Sequence, residues 1–236
     1  MTNSFREDPQ SEILPLLSGN YDTLENFFKS GQKTILKKGN IIVNQGDMVQ
    51  KIYLLNKGKV KVTLLADSGI EKLFWYAFPH TIFGDVPFFC RLPSNATITA
   101  EEECEILSHS YESFFEGLDN NPDVVEFLLI TMAKKIQILT GQVKDISFNN
   151  PNIRINKLLY SLSKQFGKEC GGGTEINLLI NHREIGFLTG LHRVTVTNIL
   201  NKLKKEKIIS IPKRGKIIIT DMEGLYTKAF HLDLNR

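Results

Sequence analysis

From Gln32 to Ser110 the chain is patterned for strands. Lys59-Val60-Lys61-Val62-Thr63-Leu64 alternates polar and apolar positions with period two, which wets one face and packs the other. Turn signals recur at Gln45-Gly46-Asp47, Asn56-Lys57-Gly58, Asp67-Ser68-Gly69 and Phe83-Gly84-Asp85, so glycines 46, 58, 69 and 84 stand 12, 11 and 15 residues apart. Short strands with turns at this interval predict a sandwich or barrel. Just upstream, Tyr21–Ser30 predicts a short amphipathic helix with Leu24, Phe27 and Phe28 on one side.

The period then changes. Val125, Leu129, Met132, Ile136, Leu139, Val143 and Ile146 are separated by 4, 3, 4, 3, 4 and 3 residues. This is a heptad seam, opened by Asn121-Pro122-Asp123 and closed by Asn149-Asn150-Pro151, which marks a hinge. So narrow a seam wants another helix, and a second copy of the chain is the economical partner; a core helix lying on its own sandwich is the plainer reading. Phe127, Leu128 and Ile130 offer a second apolar side for the sandwich, which favours dimerisation through the seam.

After the hinge the pattern predicts helix, short strands, two helices and a hairpin. Ile153–Gln165 is helical, with Ile155, Leu158, Leu159 and Leu162 inward. Gly171-Gly172-Gly173 turns into a strand over Glu175–Leu179, and no Gly-Lys-Ser/Thr follows to make it a phosphate loop. Arg183–Leu188 is a short helix, Gly190 a tight turn, and Arg193–Glu206 a longer helix with Val196, Ile199, Leu200 and Leu203 inward. Ile208–Ile211 and Lys216–Thr220 flank the basic turn Pro212-Lys213-Arg214-Gly215.

Charge sharpens this picture. The net charge of +3 conceals 15 Lys/Arg against 7 Asp/Glu over residues 150–236, and 14 against 19 over residues 1–149. An acidic front and a basic back suggest that only the C-terminal part meets a polyanion, although a solvated basic surface has the same balance. The apolar runs are far too short to span a bilayer and no secretory signal is legible, so the expectation is a cytoplasmic protein with no membrane partner. Cys90, Cys104 and Cys170 are odd in number and form no CxxC, which predicts neither a disulfide framework nor a metal or iron–sulfur site, and no cofactor is expected. The histidines at 80, 109, 182, 192 and 231 lie far apart, and no nucleophile elbow, HExxH or Walker sequence is present. An enzyme is not expected.

Two short helices joined by a glycine turn and followed by a basic hairpin describe a winged helix-turn-helix. Its second helix presents His192, Arg193, Thr195, Asn198 and Lys202 opposite the apolar stripe, with Val194 among them. Arginine suits guanine, asparagine adenine, lysine phosphate, and an exposed aliphatic the thymine methyl. Arg183, Lys202, Lys213 and Arg214 are expected to hold phosphates of double-stranded DNA.

In order and spacing the chain from about Ile35 to Thr220 resembles the CRP/FNR superfamily of bacterial transcription regulators. The resemblance rests on Val43-Asn44-Gln45-Gly46-Asp47, Leu54-Leu55-Asn56-Lys57-Gly58, Phe83-Gly84-Asp85 and Arg183-Glu184-Ile185-Gly186…Leu188-Thr189-Gly190…Arg193-Val194-Thr195-Val196. It implies an α+β architecture: a β-roll (jelly roll) of the cyclic-nucleotide-binding type over 1–121, a dimerisation helix over 122–149 and a winged helix-turn-helix over 150–236. Ile70-Glu71-Lys72-Leu73, the Asn149-Asn150-Pro151 hinge with Ile153-Arg154-Ile155, and the second helix look most like the chlorophenol-responsive, CprK-like halorespiration regulators. The resemblance places an effector pocket between roll and long helix at Tyr76, Gly84, Asp85, Phe88, Phe89, Asn95, Met132 and Lys135, although Tyr76, Phe88 and Phe89 would equally fill a sandwich core. Lys135 would pair with an anionic ligand, or with Asp85 when the site is empty.

Departures from the family narrow the expectation. Cyclic-nucleotide sensors close the Gly-Glu loop with Arg-Ser/Thr-Ala; here Asn95-Ala96 stands in that place, so a cyclic phosphate loses its bidentate partner, for which Arg91 is a poor substitute. Asp85 would repel a nearby phenolate. The family's Arg-Glu-Thr-Val-Ser-Arg becomes Arg193-Val194-Thr195-Val196-Thr197-Asn198, which loses the acceptor for cytosine and predicts an AT-rich palindrome. The expectation is a homodimeric activator that senses a small aromatic effector and acts with RNA polymerase. The alternative is a redox-responsive regulator sensing through Cys90 or Cys104.

Overall fold

Period two shows first in β4 (Val60–Leu65), which pairs antiparallel with β5 (Glu71–Ala77) and with β7 (Thr97–Ala100). The β4–β5 ladder shifts register between Val62 and Thr63, where β5 carries the extra residue Phe74, while β4 keeps an unbroken register against β7 and ends with Leu65 exposed on the face of Lys61. β2 (Ile41–Val43) completes a sheet in the order β2-β7-β4-β5. A second sheet runs β1-β8-β3-β6, from β1 (Gln32–Leu36), β8 (Cys104–Ser110), β3 (Lys51–Lys57) and β6 (Ile82–Phe83). The computed structural model describes residues 21–230 apart from Ser68, Ile70, Leu179 and Arg214, and these fall into two compact units that divide between Ile136 and Gln137.

In the N-terminal unit α1 (Asp22–Lys29) seats Leu24, Phe27 and Phe28 in a core with Ile52, Leu54, Ile82 and Leu107, as the amphipathic pattern predicts. Two helices join it that the pattern leaves unread, α2 (Asp85–Cys90) and α3 (Tyr111–Leu118), the latter capped by the Ser110 hydroxyl accepting from Ser113 N.

α4 (Pro122–Phe148) contains 27 residues and ends at the predicted stop. Its inward stripe differs from expectation: Val124, Leu128, Thr131 and Lys135 are buried, Phe127 is half-buried, and Ile130 is exposed. Ile130 falls outside the 4, 3, 4 spacing that aligns those four, and so faces water. The predicted seam lies beside this stripe, with Leu129, Ile136 and Val143 each 64% exposed, Val125 and Ile146 exposed, and Met132 and Leu139 half-buried.

In the C-terminal unit the Asn150 side chain accepts from Ile153 N at 3.1 Å and caps α5 (Pro151–Phe166), with proline at the first helical position. A third sheet, β11-β12-β10-β9, combines β9 (Gly167–Cys170), β10 (Gly173–Ile176), β11 (Ile209–Lys213) and β12 (Lys216–Ile219). β10 is shorter than expected: past Ile176 the chain leaves the ladder, and Asn177 N donates to Phe166 O. Leu179 lies outside the described residues. α6 (His182–Thr189), α7 (Arg193–Lys205) and α8 (Met222–Phe230) enclose a core built on Ile155, Leu159, Ile185, Val196, Leu200 and Leu225. Among the described residues no helix is long and apolar enough to cross a membrane.

Candidate nucleic-acid interface and effector site

The turn between α6 and α7 is built to be tight. α6 opens with a capping box, the Asn181 side chain accepting from Arg183 N and Glu184 N while Glu184 accepts from Asn181 N at 2.7 Å. It closes on Gly190 at φ 66, the left-handed conformation that favours glycine, and Leu191 N donates back to Gly186 O. Across the turn the Thr197 hydroxyl donates to Arg193 O at 2.9 Å and accepts from His182 Nδ1, also at 2.9 Å. Burial holds the His182 pKa below its ordinary value, with repulsion from Arg193 as the lesser cause.

With Val196, Ile199, Leu200 and Leu203 turned inward, α7 exposes the opposite face. Of the predicted residues His192, Arg193, Val194, Asn198 and Lys202 are exposed and Thr195 is half-buried. Val194 is 71% exposed, a large apolar side chain in water. Asn201 and Lys205 share the row of Val194 and Asn198 at spacings of 4, 3 and 4, so the helical period places them on this face although the residue-type reading passed over them. Arg183 is exposed on α6, its guanidinium 5.1 Å from the Phe187 ring centre. Lys213 is exposed opposite Lys216 at the hairpin end, and Lys216 is tied to Glu175 Oε2 at 2.6 Å. Arg214 lies outside the described residues.

The predicted effector residues do not all converge. Gly84, at φ 74, caps α2 against the Tyr53 ring and places Asp85 in the first turn. Lys135 Nζ donates to Asp85 Oδ1 at 2.7 Å, Asp85 Oδ2 at 2.8 Å and Ile82 O at 3.0 Å, and the two side chains are 7% and 5% exposed. The ammonium thus has an acceptor for each of its three protons. Trp75, which sequence reasoning missed, lies with its ring centre 5.9 Å from Lys135 Nζ, and Thr131, one turn before Lys135, keeps a buried hydroxyl without a partner.

The other predicted residues are placed elsewhere. Phe88 is core, packed edge-on to Phe114, and Phe89 flanks both rings. Tyr76 is buried under Lys59, whose Nζ sits 3.6 Å from the ring centre. Asn95 is exposed in its loop and Met132 is half-buried on α4.

Two family models match the chain: the cyclic nucleotide-binding domain over residues 33–121 and the Crp-like helix-turn-helix domain over 153–227. The cAMP-activated global transcriptional regulator CRP of Pasteurella multocida is 30% identical over 180 residues, covering 75% of this chain and 84% of that protein. The chain belongs to the CRP/FNR superfamily of transcription regulators. A CRP-like cAMP-activated global regulator of Mycobacterium tuberculosis is 25% identical over 201 residues, 85% of this chain and 89% of that one. Among solved structures, CprK complexed with OCPA superposes with a TM-score of 0.76 at 28% identity, covering 91% of this chain and 99% of that chain. This CRP/FNR regulator is accordingly a DNA-binding protein with a sensor domain of the cyclic-nucleotide-binding type.

In the sensor loop the Arg91 guanidinium lies 4.4 Å over the Tyr111 ring. His80 stacks on Tyr21 at 4.2 Å, and its Nδ1 lies 3.0 Å from Glu25 Oε1. Cys104 is fully buried, its Sγ donating to Lys59 O, and burial pushes its thiol up, away from a reactive thiolate; Cys90 is exposed. Among the described residues no cluster of three His, Cys, Asp or Glu side chains could hold a metal ion.

Proposed function

We propose that this regulator is a homodimeric transcription activator that binds an AT-rich palindrome when a small aromatic acid or phenol, not a cyclic nucleotide, occupies its roll. One observation carries the reading: Val125, Leu129, Ile136, Val143 and Ile146 of the apolar seam of α4 are exposed while a separate stripe of the same helix is buried. A face of this kind is self-complementary in a two-fold dimer, and two copies of α7 then meet successive major grooves ~34–36 Å apart. Val194 and Asn198 suit thymine methyl and adenine edges, and no residue on this face matches the glutamate that accepts from cytosine.

The effector reading is supported by the lost arginine at Asn95 and by the likeness to CprK solved with OCPA. The Asp85–Lys135 pair sits beside Trp75 and the unpartnered Thr131 hydroxyl, an apolar wall with polar handles. An acidic ligand has to take the place of Asp85 on Lys135 or bind beside the closed pair, and whichever it does shifts the population of DNA-competent dimers through the Asn149–Asn150 hinge. As an activator the dimer would act on RNA polymerase. The test measures sedimentation and fluorescence anisotropy on random-sequence and AT-rich palindromic duplexes, with a thermal-shift screen of phenols, aromatic acids and cyclic AMP. A dimer that melts higher with an aromatic acid, and then binds the palindrome more tightly, is expected. A monomer, or stabilisation by cyclic AMP alone, overturns the proposal.

A further inference from the structure

α6 opens on a histidine that is tied into α7. His182 is half-buried at the first position of α6, and its Nδ1 lies 2.9 Å from the Thr197 hydroxyl. A hydroxyl has a single proton to give, and Thr197 gives it to Arg193 O, also at 2.9 Å. The ring therefore donates from Nδ1. In a neutral imidazole that leaves Nε2 as a bare lone pair, able only to accept. Nε2 has no partner among the described residues and is not enclosed.

In a helix-turn-helix the first helix crosses the DNA backbone while the start of the second reads base edges. His182 stands on that side, bonded into the first turns of α7 and beside the exposed Arg183. A phosphate oxygen only accepts, so neutral His182 would set lone pair against lone pair, whereas the imidazolium would donate a charge-assisted bond. We infer that His182 is a phosphate contact made only on protonation, so that each α7 engaged on DNA takes up one proton and DNA affinity rises as pH falls. This contact needs only that α6 and α7 dock on DNA, and is independent of the palindrome and the effector proposed above. The surroundings of the ring oppose the proton until DNA arrives. Burial, and then repulsion from Arg193 on α7, hold the free His182 pKa below its ordinary value. His192 is exposed one residue before that arginine. On α6 Arg183 is the next residue, and Glu184 is turned back to accept from Asn181 N; from α5, Arg154 donates to Thr189 O at the far end of α6. No acid among the described residues pairs with the ring, and a DNA phosphate supplies that counter-ion. By linkage, the factor by which DNA raises the proton affinity of the ring is the factor by which the proton raises DNA affinity.

Fluorescence anisotropy of the full-length protein on a random-sequence duplex, at fixed low salt, is followed from about pH 8 to about pH 5.5. Affinity is expected to rise about three- to tenfold for each α7 engaged. His182→Gln should stay near the high-pH affinity throughout and His182→Arg near the low-pH affinity, whereas His192→Gln keeps the rise. Nitrogen-15 signals of the His182 ring should show Nδ1–H in the neutral form, and titration at higher pH in the complex than in the free protein. A rise that survives in His182→Gln, a neutral ring protonated at Nε2, or a ring that titrates alike with and without DNA overturns the assignment while leaving DNA binding intact. Absence of binding at every pH overturns the DNA-binding reading with it. Should His182→Gln not fold, the ring titration in the unmodified protein decides.

Discussion

Replacing one member of the Asp85–Lys135 pair tests whether the buried contact organises the sensor. In Asp85→Asn the Lys135 ammonium keeps the Ile82 carbonyl and one acceptor, the amide oxygen, but loses its counter-charge and the second of the bonds at 2.7 and 2.8 Å, in a place only a few per cent exposed. Stranding a buried charge in this way costs about 3–5 kcal/mol, a large share of a domain's usual ~5–15 kcal/mol. Lys135→Met strands the carboxylate instead, but Asp85 sits in the first turn of α2, and a helix N-terminus returns roughly 0.3–1 kcal/mol. It should therefore be the milder single change. The double variant Asp85→Asn/Lys135→Met strands no charge, so its cost should fall below the sum of the singles by about 2–3 kcal/mol. Trp75 is the only tryptophan, lies beside Lys135 and is buried, so its fluorescence during urea unfolding reports on this unit alone. Single variants that each cost under about 1 kcal/mol, or a double variant whose cost equals their sum, would refute the argument.

Three further outcomes are expected. Ile136→Glu places a charge in the middle of the exposed seam and should give a monomer in sedimentation, with affinity for the palindrome lowered at least about a hundredfold because one half-site contact is lost. Lys202→Ala and Lys213→Ala should each reduce the slope of log K against log salt by about 1, measured by anisotropy on one duplex, and weaken binding to every sequence alike. Because burial and Arg193 hold the His182 pKa below its ordinary 6.5, the unfolded chain takes up that proton first. Stability of the C-terminal unit should be full above that value and fall as pH drops through it, and His182→Gln should flatten this part of the urea-midpoint profile.

The elements legible in the chain are those whose packing is periodic. α4, α5 and α7 each bury a stripe at spacings of 3 and 4, and the glycine turns at 46, 58, 69 and 84 all adopt positive φ. Elements held by local bonds alone escape that reading. α2 is six residues long, contains Pro87 and begins on a left-handed glycine, so it has no stripe to detect. β9 is a polar edge strand, Gly-Lys-Glu-Cys, with no alternating face. α8 announces itself only through Asp221, whose carboxylate accepts from Gly224 N at 2.8 Å. The register shift between β4 and β5 is illegible for another reason: it comes from one extra residue in β5, Phe74, which nothing in the alternation of β4 marks.

The same distinction divides the sites. The exposed row of α7 follows from one helix's period, and extending that period from Val194 and Asn198 reaches Asn201 and Lys205. The effector residues depend on strands and helices distant in sequence, so resemblance alone grouped Phe88 with Asp85, although the first packs into an aromatic core and the second into an ion pair. One part of that pair was nonetheless readable. Lys135 occupies the stripe of Val124, Leu128 and Thr131, and an ammonium on an inward stripe must find an anion, since an unpaired buried charge costs several kcal/mol. Asp85 answers that requirement from 50 residues away, at the start of a helix whose own dipole favours a carboxylate. On the reading proposed above, a ligand that displaces Asp85 has to satisfy Lys135 at least as well as that carboxylate does.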